Sequence, residues 1–345
     1  MKAALLYDKE DIRIETLPDP EIGEGEILFK TSTASICGTD LRMYKSGHAF
    51  ATPDKPLVPG HEMAGTIAKL GAGVGGFKVG QRVCIAPNYN PVASYLTVAG
   101  EGHLDPSYRA LGIHINGSFA EYVRIPREAV LQGNVFPIPD HVSFAAAALA
   151  EPLSCVYNAY EKARTGPGDI VLIVGAGPIG VMHAKISKLA GAGKVIVNDH
   201  NPERLALVRS IDKSFITVQG DPAEEVQKIT QGRGADVVIT ACSVAQVQTQ
   251  SIDLAAVNGR VILFGGLPKG NSMVPLDTNL IHYKQLMVTA TTRQSLRQFQ
   301  KTLDLISDGV MRVDDLVTAT FKLEDITKAF INGSPRDLKT RVSFE

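Results

Sequence analysis

Cysteine is scarce in this sequence and net charge is almost absent, and each shortage excludes a class of protein. Four cysteines occur in 345 residues: Cys37, Cys84, Cys155 and Cys242. They lie far apart, without the dense pairing of a secreted disulfide framework. Most read as small buried hydrophobes; Cys37 is the exception, for reasons given below. A formal net charge of -1 supplies no electrostatic reason to expect nucleic acid or an anionic membrane as partner. No apolar run approaches the ~18 residues that span a bilayer. The apolar stretch after Met1 meets its first acid at Asp8, too soon for a signal peptide. Internal repeats and low-complexity tracts are missing as well. A cytoplasmic globular protein is the expectation. Its length exceeds the ~250–300 residues at which a single core stops growing, so two domains are expected.

What is present falls into three stretches. From residue 1 to about 150, short β-type runs (Ala3–Leu6, Ile12–Ile14, Glu26–Thr31, Ala64–Lys69, Arg82–Ala86) alternate with turns rich in glycine and proline. This pattern predicts an all-β unit shaped as a partly open barrel. From about 153 to 285, apolar runs at Ile170–Val174, Lys194–Asn198, Phe215–Val218, Asp236–Thr240 and Arg260–Phe264 alternate with helical-period segments at Pro178–Ala190, Glu203–Ser210 and Ala223–Thr230. Continuous apolar strands joined by helices predict a doubly wound parallel sheet covered on both faces. The last stretch, about 286 to 345, predicts a helix over Ser295–Ser307, a strand over Leu316–Phe321, a short helix over Leu323–Ile331 and a terminal strand over Lys339–Phe344. It is too small for a core of its own and is expected to complete the first unit. The expected fold is therefore α/β: a β-rich domain, 1–152 and 286–345, with a nucleotide-binding domain, 153–285, inserted in it.

Within that insertion, the run Ile170–Val174 leads into Gly175, Gly177, Pro178, Ile179 and Gly180, and a helical segment follows. Gly175 permits a tight turn, Gly177 lets backbone approach a pyrophosphate, and Gly180 lets helix pack on strand. The helix N-terminus then offers free N–H groups and partial positive charge. Asp199 closes the next strand, 19 residues after Gly180, near the ~20 expected of an acid that binds the adenosine ribose. A carboxylate there accepts from both ribose hydroxyls and repels a 2′-phosphate, so NAD is preferred over NADP. Arg204 either stacks on adenine or is a solvated helix residue. Gly266, beyond Arg260–Phe264, joins the cofactor-binding positions.

The first stretch carries Cys37, Gly38, Thr39, Asp40 and then Gly60, His61, Glu62. Cys, His and Glu are all competent zinc ligands, and a catalytic site needs about three with one position open. Taken singly, His61 and Cys37 have ordinary structural readings; the combination is what carries weight. These motifs, with Gly117–Val123, Glu151–Ser154 and the glycine fingerprint, occur in the order found in zinc-containing medium-chain dehydrogenases. The chain resembles that family along nearly its whole length. The likeness is greatest to the branch with sorbitol dehydrogenase, because Glu151 stands where simpler alcohol dehydrogenases place a cysteine. The resemblance implies a GroES-like catalytic domain with an inserted Rossmann domain. It also implies one catalytic zinc on Cys37, His61 and Glu62, with Glu151 beside it, bound directly or through water, and a homodimer or homotetramer.

Two departures stand out. Relatives carry a lobe with four cysteines for a structural zinc, and here Pro91, Ser94, Thr97 and Asp105 align with them. That zinc is expected to be absent and the lobe either mobile or differently packed. Many relatives also have a proton-relaying histidine where this chain has Arg42. A guanidinium does not exchange its proton at neutral pH, so the relay must differ or shorten.

The chemistry so implied is reversible oxidation of a secondary hydroxyl of a polyol or sugar to a ketone, with zinc as Lewis acid and NAD as hydride acceptor. Thr39 either hydrogen-bonds the reacting oxygen or is a turn hydroxyl. Asp40 is read as orienting a ligand histidine. Tyr44, His48 and Arg293 are either contacts for substrate hydroxyls or surface or structural residues. The competing readings are a threonine-type amino-alcohol dehydrogenase and a non-catalytic NAD(H)-binding protein.

Overall fold

A computed structural model describes residues 1–268, 270–332 and 337–344. The chain divides into two compact units, Met1–Ser154 with Gln294–Glu345, and Cys155–Arg293.

The first unit is built on a sheet whose strands run in the order Val317–Lys322, Lys339–Ser343, Ile27–Ser35, Glu62–Leu70, Arg82–Ile85 and Val135–Pro137. Tyr122–Ile125 pairs additionally with Ile27–Ser35, and Lys2–Asp8 forms a hairpin with Asp11–Thr16. One core lies among Ile27, Phe29, Met63, Ile67, Val83 and Ile85. Full burial of each such side chain stabilises by roughly 1.5–3 kcal/mol. The terminal strand does not sit at an edge: Lys339–Ser343 lies between Val317–Lys322 and Ile27–Ser35, antiparallel to the latter.

This unit is not all-β, as its sequence suggested. Helices run over Gly38–Ser46 and Phe144–Ala148, and helix Ala150–Ala163 begins in this unit. The first is hard to foresee because its cap is Cys37, with Asp40 closing a capping box in place of the usual Ser/Thr with Glu. The second follows from Ser143, whose side chain accepts from the Ala146 N–H, and from alanine's high helix propensity.

The second unit holds a six-stranded parallel sheet in the order Ile216–Gln219, Lys194–Asp199, Ile170–Val174, Ala235–Thr240, Ala255–Leu263, Met287–Ala290. Every residue of Ile170–Val174 is buried, as a strand covered on both faces requires. Met287–Ala290 pairs with Arg260–Leu263, so the expected break after residue 285 is corrected. The segment 286–293 stays with this sheet because its four-residue strand satisfies the backbone groups of an otherwise open edge.

Candidate metal centre and cofactor cradle

In the first unit, strand Ile27–Ser35 runs through Ile36 into Cys37, the N-cap of helix Gly38–Ser46. Asp40, fully buried, ties two segments together. Its Oδ2 accepts the Cys37 N–H at 2.8 Å, and its Oδ1 accepts the Gly60 N–H at 3.2 Å. Oδ1 also lies 3.5 Å from His61 Nδ1. Gly60 itself has φ 93°, and a Cβ there would come within 2.8 Å of Phe119. A Cβ on Gly117 would press on the Gly60 carbonyl oxygen at 2.1 Å. The backbone beside His61 is therefore held by groups that only glycine lets approach.

The result is a cluster of donors. Cys37, His61 and Glu62 offer a sulfur, an imidazole nitrogen and a carboxylate oxygen that all lie within 4.8 Å of one another. No other group of three or more such ligands exists among the described residues. With metal–ligand bonds of about 2.0–2.3 Å, this thiol, imidazole and carboxylate fit zinc after a small closure. Burial works against a charged His61 ring, yet Asp40 and Cys37 outweigh it and hold its pKa well above the usual value.

Glu62 has a partner that sequence reading missed. Lys339 donates from Nζ to Glu62 Oε1 at 2.6 Å and to the Ile36 carbonyl at 3.1 Å. Both side chains are buried, at 3% and 0% exposure. Burial pulls the Lys339 ammonium down, but Glu62 and Cys37 raise it above the ordinary lysine value.

Glu151 lies in the first turn of Ala150–Ala163, with Oε1 accepting from Gln294 Nε2 at 3.0 Å. It falls outside the group of mutually close donors. Burial raises its pKa to about 7; Glu62 pushes the same way, and His61 and Lys339 oppose.

Thr39 Oγ1 accepts from Arg42 Nη2 at 3.2 Å. Tyr44 belongs to the core, 8% exposed and edge-on to Phe330 with centroids 5.4 Å apart, the structural one of its two readings. The unforeseen helix turns this side chain inward. His48 Nε2 lies 2.8 Å from the Ile113 carbonyl.

Three of the four positions that replace the cysteine lobe are bonded to one another. Thr97 Oγ1 accepts the Ser94 N–H at 2.8 Å, and the Ser94 hydroxyl donates to Asp105. Asp105 also accepts from the Ser107 N–H and hydroxyl, both at 2.7 Å. Bonds from Ser94 and Ser107 lower the Asp105 pKa. The lobe is closed by side chains.

In the second unit, Gly175 has φ 117° and donates to the Asn198 carbonyl at 2.8 Å. A Cβ on Gly180 would fall 1.8 Å from the Gly175 oxygen, whereas one on Gly177 or Gly266 would meet open space. Gly177 caps helix Pro178–Leu189 without a side-chain acceptor, and Pro178 opens its first turn. The Ile179 and Gly180 N–H groups thus lack intrahelical acceptors, as an anion site needs. Asp199 ends its strand with Oδ2 accepting the Ala176 N–H at 2.8 Å and Oδ1 the Asn201 N–H at 2.9 Å. Arg204 is half-buried on helix Pro202–Ile211. A cavity of about 140 Å³ opens at the carboxyl ends of three strands, lined by Asn198, His200, Asp221 and Val247 among others. His200 and Asp221 carried no sequence signal. Arg293 has φ 56°, and its carbonyl accepts from Asn158 Nδ2 at 3.0 Å.

Comparison with known proteins shows the family. The family model "alcohol dehydrogenase GroES-like domain" matches residues 23–140, and "zinc-binding dehydrogenase" matches residues 178–308. Sorbitol dehydrogenase of Bacillus subtilis (strain 168) is 33% identical over 335 residues, covering 95% of this chain and 92% of that protein. L-threonine 3-dehydrogenase of Mesorhizobium japonicum is 33% identical over 338 residues, covering 96% and 95%. A zinc-binding dehydrogenase from Sinorhizobium meliloti 1021, solved bound to NADP, superposes with TM-score 0.90 at 28% identity, covering 99% and 98%. The chain belongs to the zinc-containing medium-chain alcohol dehydrogenases and resembles their sorbitol dehydrogenase branch. It is an oxidoreductase that uses zinc and a nicotinamide cofactor on a small-molecule alcohol. Among the described residues no helix is long and apolar enough to cross a membrane.

Proposed function

We propose that this enzyme reversibly oxidises a secondary hydroxyl of a polyol or sugar to a ketone, with NAD and a single zinc per chain. The observation that carries the reading is the buried donor set Cys37, His61 and Glu62 within 4.8 Å, with a second buried glutamate, Glu151, nearby. When bound, zinc supplies a Lewis acid for the hydroxyl and the nicotinamide an acceptor for the hydrogen on the same carbon.

The chain's residues do the rest. Asp40 orients His61 and the Cys37 backbone together. Lys339 balances Glu62. Glu151, with a pKa raised to about 7, can hold or release a proton near neutral pH. Two glutamates, a lysine and a glutamine around the donor set suit a substrate with several hydroxyls better than a simple alkanol. The likeness to sorbitol dehydrogenase points the same way, and a homodimer or homotetramer in the cytoplasm is part of the same proposal. NAD is favoured because a 2′-phosphate beside Asp199 would meet a carboxylate. The L-threonine 3-dehydrogenase likeness, at the same 33% identity, supports an amino-alcohol substrate as second reading.

The test is NADH formation by the purified protein on sugar alcohols, inositols, simple secondary alcohols and threonine, with and without chelator. Chelator-sensitive turnover on polyols is the expected result; turnover on threonine alone selects the second reading. Cys37→Ser or His61→Ala should abolish turnover and lower zinc content while NADH still binds, and full activity in either refutes the ligand set. Faster turnover with NADP than with NAD refutes the role given to Asp199.

A further inference from the structure

Among the described residues Arg42 is a charge without a counter-charge. It forms no ion pair among the described residues, and its one side-chain bond is the 3.2 Å donation from Nη2 to Thr39 Oγ1. The two residues are three apart on helix Gly38–Ser46 and so share a face. A threonine hydroxyl has one proton and two acceptor lone pairs, whereas a guanidinium only donates. With one lone pair engaged by Arg42, the Thr39 hydroxyl keeps its proton, which is free to donate, and a second lone pair. Among the described residues it donates to no group. It stands two residues from Cys37, on the turn whose carboxylate, Asp40, also braces His61.

We propose that Arg42 is a positioning residue that fixes Thr39 as a hydrogen-bond donor toward the oxygen of the reacting alcohol, and that the proton leaves to water without a titrating side chain in between. In the oxidation the substrate loses its C–H hydrogen as hydride to the oxidised nicotinamide and its O–H proton to solvent. Arg42 gains and loses nothing. This inference rests on the dehydrogenase reading above.

The experiment is a double-mutant cycle on the alcohol that the wild type turns over fastest, using Arg42→Met, Thr39→Val and the pair. Melting temperature and NADH affinity by fluorescence titration are read alongside. Arg42→Met should lower kcat about 10-fold, the effect of losing roughly one hydrogen bond in the rate-limiting step, with KM, melting temperature and NADH affinity unchanged. In the Thr39→Val background it should cost nothing more. Arg42→Lys keeps a donor and should recover much of the rate. Arg42→His should add an inflection near pH 6–7 to the kcat profile, where imidazole titrates, absent from wild type and Arg42→Lys. Equal losses in both backgrounds overturn the proposal, as does weakened NADH binding with kcat intact. Wild-type silence on every alcohol overturns both this inference and the reading beneath it; wild-type turnover with additive losses overturns this one alone.

Discussion

Replacing Lys339 by methionine keeps most of the side-chain volume and removes only the ammonium. Glu62 then keeps its carboxylate in a place with 0% exposure, facing a partner position that was itself 3% exposed. Removing one member of a buried ion pair typically destabilises by about 3–5 kcal/mol, because the surviving charge loses its partner without regaining water. The Ile36 carbonyl loses a donor as well. That loss belongs to the same few atoms and does not add independently. In a unit of roughly 150–250 residues each kcal/mol moves Tm by about 2–4 °C, so metal-free Lys339→Met should melt roughly 6–20 °C below wild type. Bound zinc offers Glu62 a second positive partner, so the deficit should shrink in the zinc-loaded protein. Glu62→Gln in the Lys339→Met background removes the stranded charge and should recover much of the loss. Calorimetry of the three proteins, chelated and zinc-loaded, reads all of this. A metal-free Lys339→Met that melts within about 2 °C of wild type would refute the claim that this pair is buried and charged.

Three further outcomes follow from the same kind of reasoning. With its pKa raised from 4.5 to about 7, Glu151 stays protonated in the folded metal-free protein while the unfolded chain ionises. Stability is therefore lost as pH rises from about 4.5 to 7, by roughly 3 kcal/mol; Glu151→Gln should flatten that slope in denaturant titrations and be the more stable protein at pH 8. His183 is fully buried against Phe264, neither ring nitrogen has a hydrogen-bond partner among the described residues, and burial lowers its pKa to about 3. His183→Leu should stabilise by about 1–3 kcal/mol at pH 7, and its advantage should grow as pH falls below about 6.5, where the unfolded histidine takes up a proton; equal gains at pH 5.5 and 7.5 would count against this. In the lobe, chelator should leave hydrogen exchange of residues 88–116 unchanged, whereas Asp105→Ala should accelerate it without altering NADH affinity.

How much of this was legible in the sequence depended on distance along the chain. The strands of the parallel sheet announced themselves as continuous apolar runs. The glycine turn and Asp199 were readable because each lies at a fixed local offset from an apolar strand, Ile170–Val174 for the one and Lys194–Asp199 for the other. Cys37, His61 and Glu62 were found through their neighbours in sequence. Lys339 was not: an isolated lysine opening a late strand has no local signature, and only the pairing of Lys339–Ser343 with Ile27–Ser35 carries it to Glu62. Gln294 was missed for the same reason. The two readings of Tyr44 stayed open because the helix Gly38–Ser46 was not recognised, and with it went the three-residue spacing that joins Thr39 to Arg42.

Lys339 lies 277 residues beyond Glu62. At about 5–20 residues per second of synthesis, roughly 15–55 s pass between the making of one and the making of the other. During that interval Cys37, His61 and Glu62 exist without the ammonium that will balance them. The ion pair that holds Glu62 in the finished protein is thus completed only when strand Lys339–Ser343 has been made and has docked beside Ile27–Ser35.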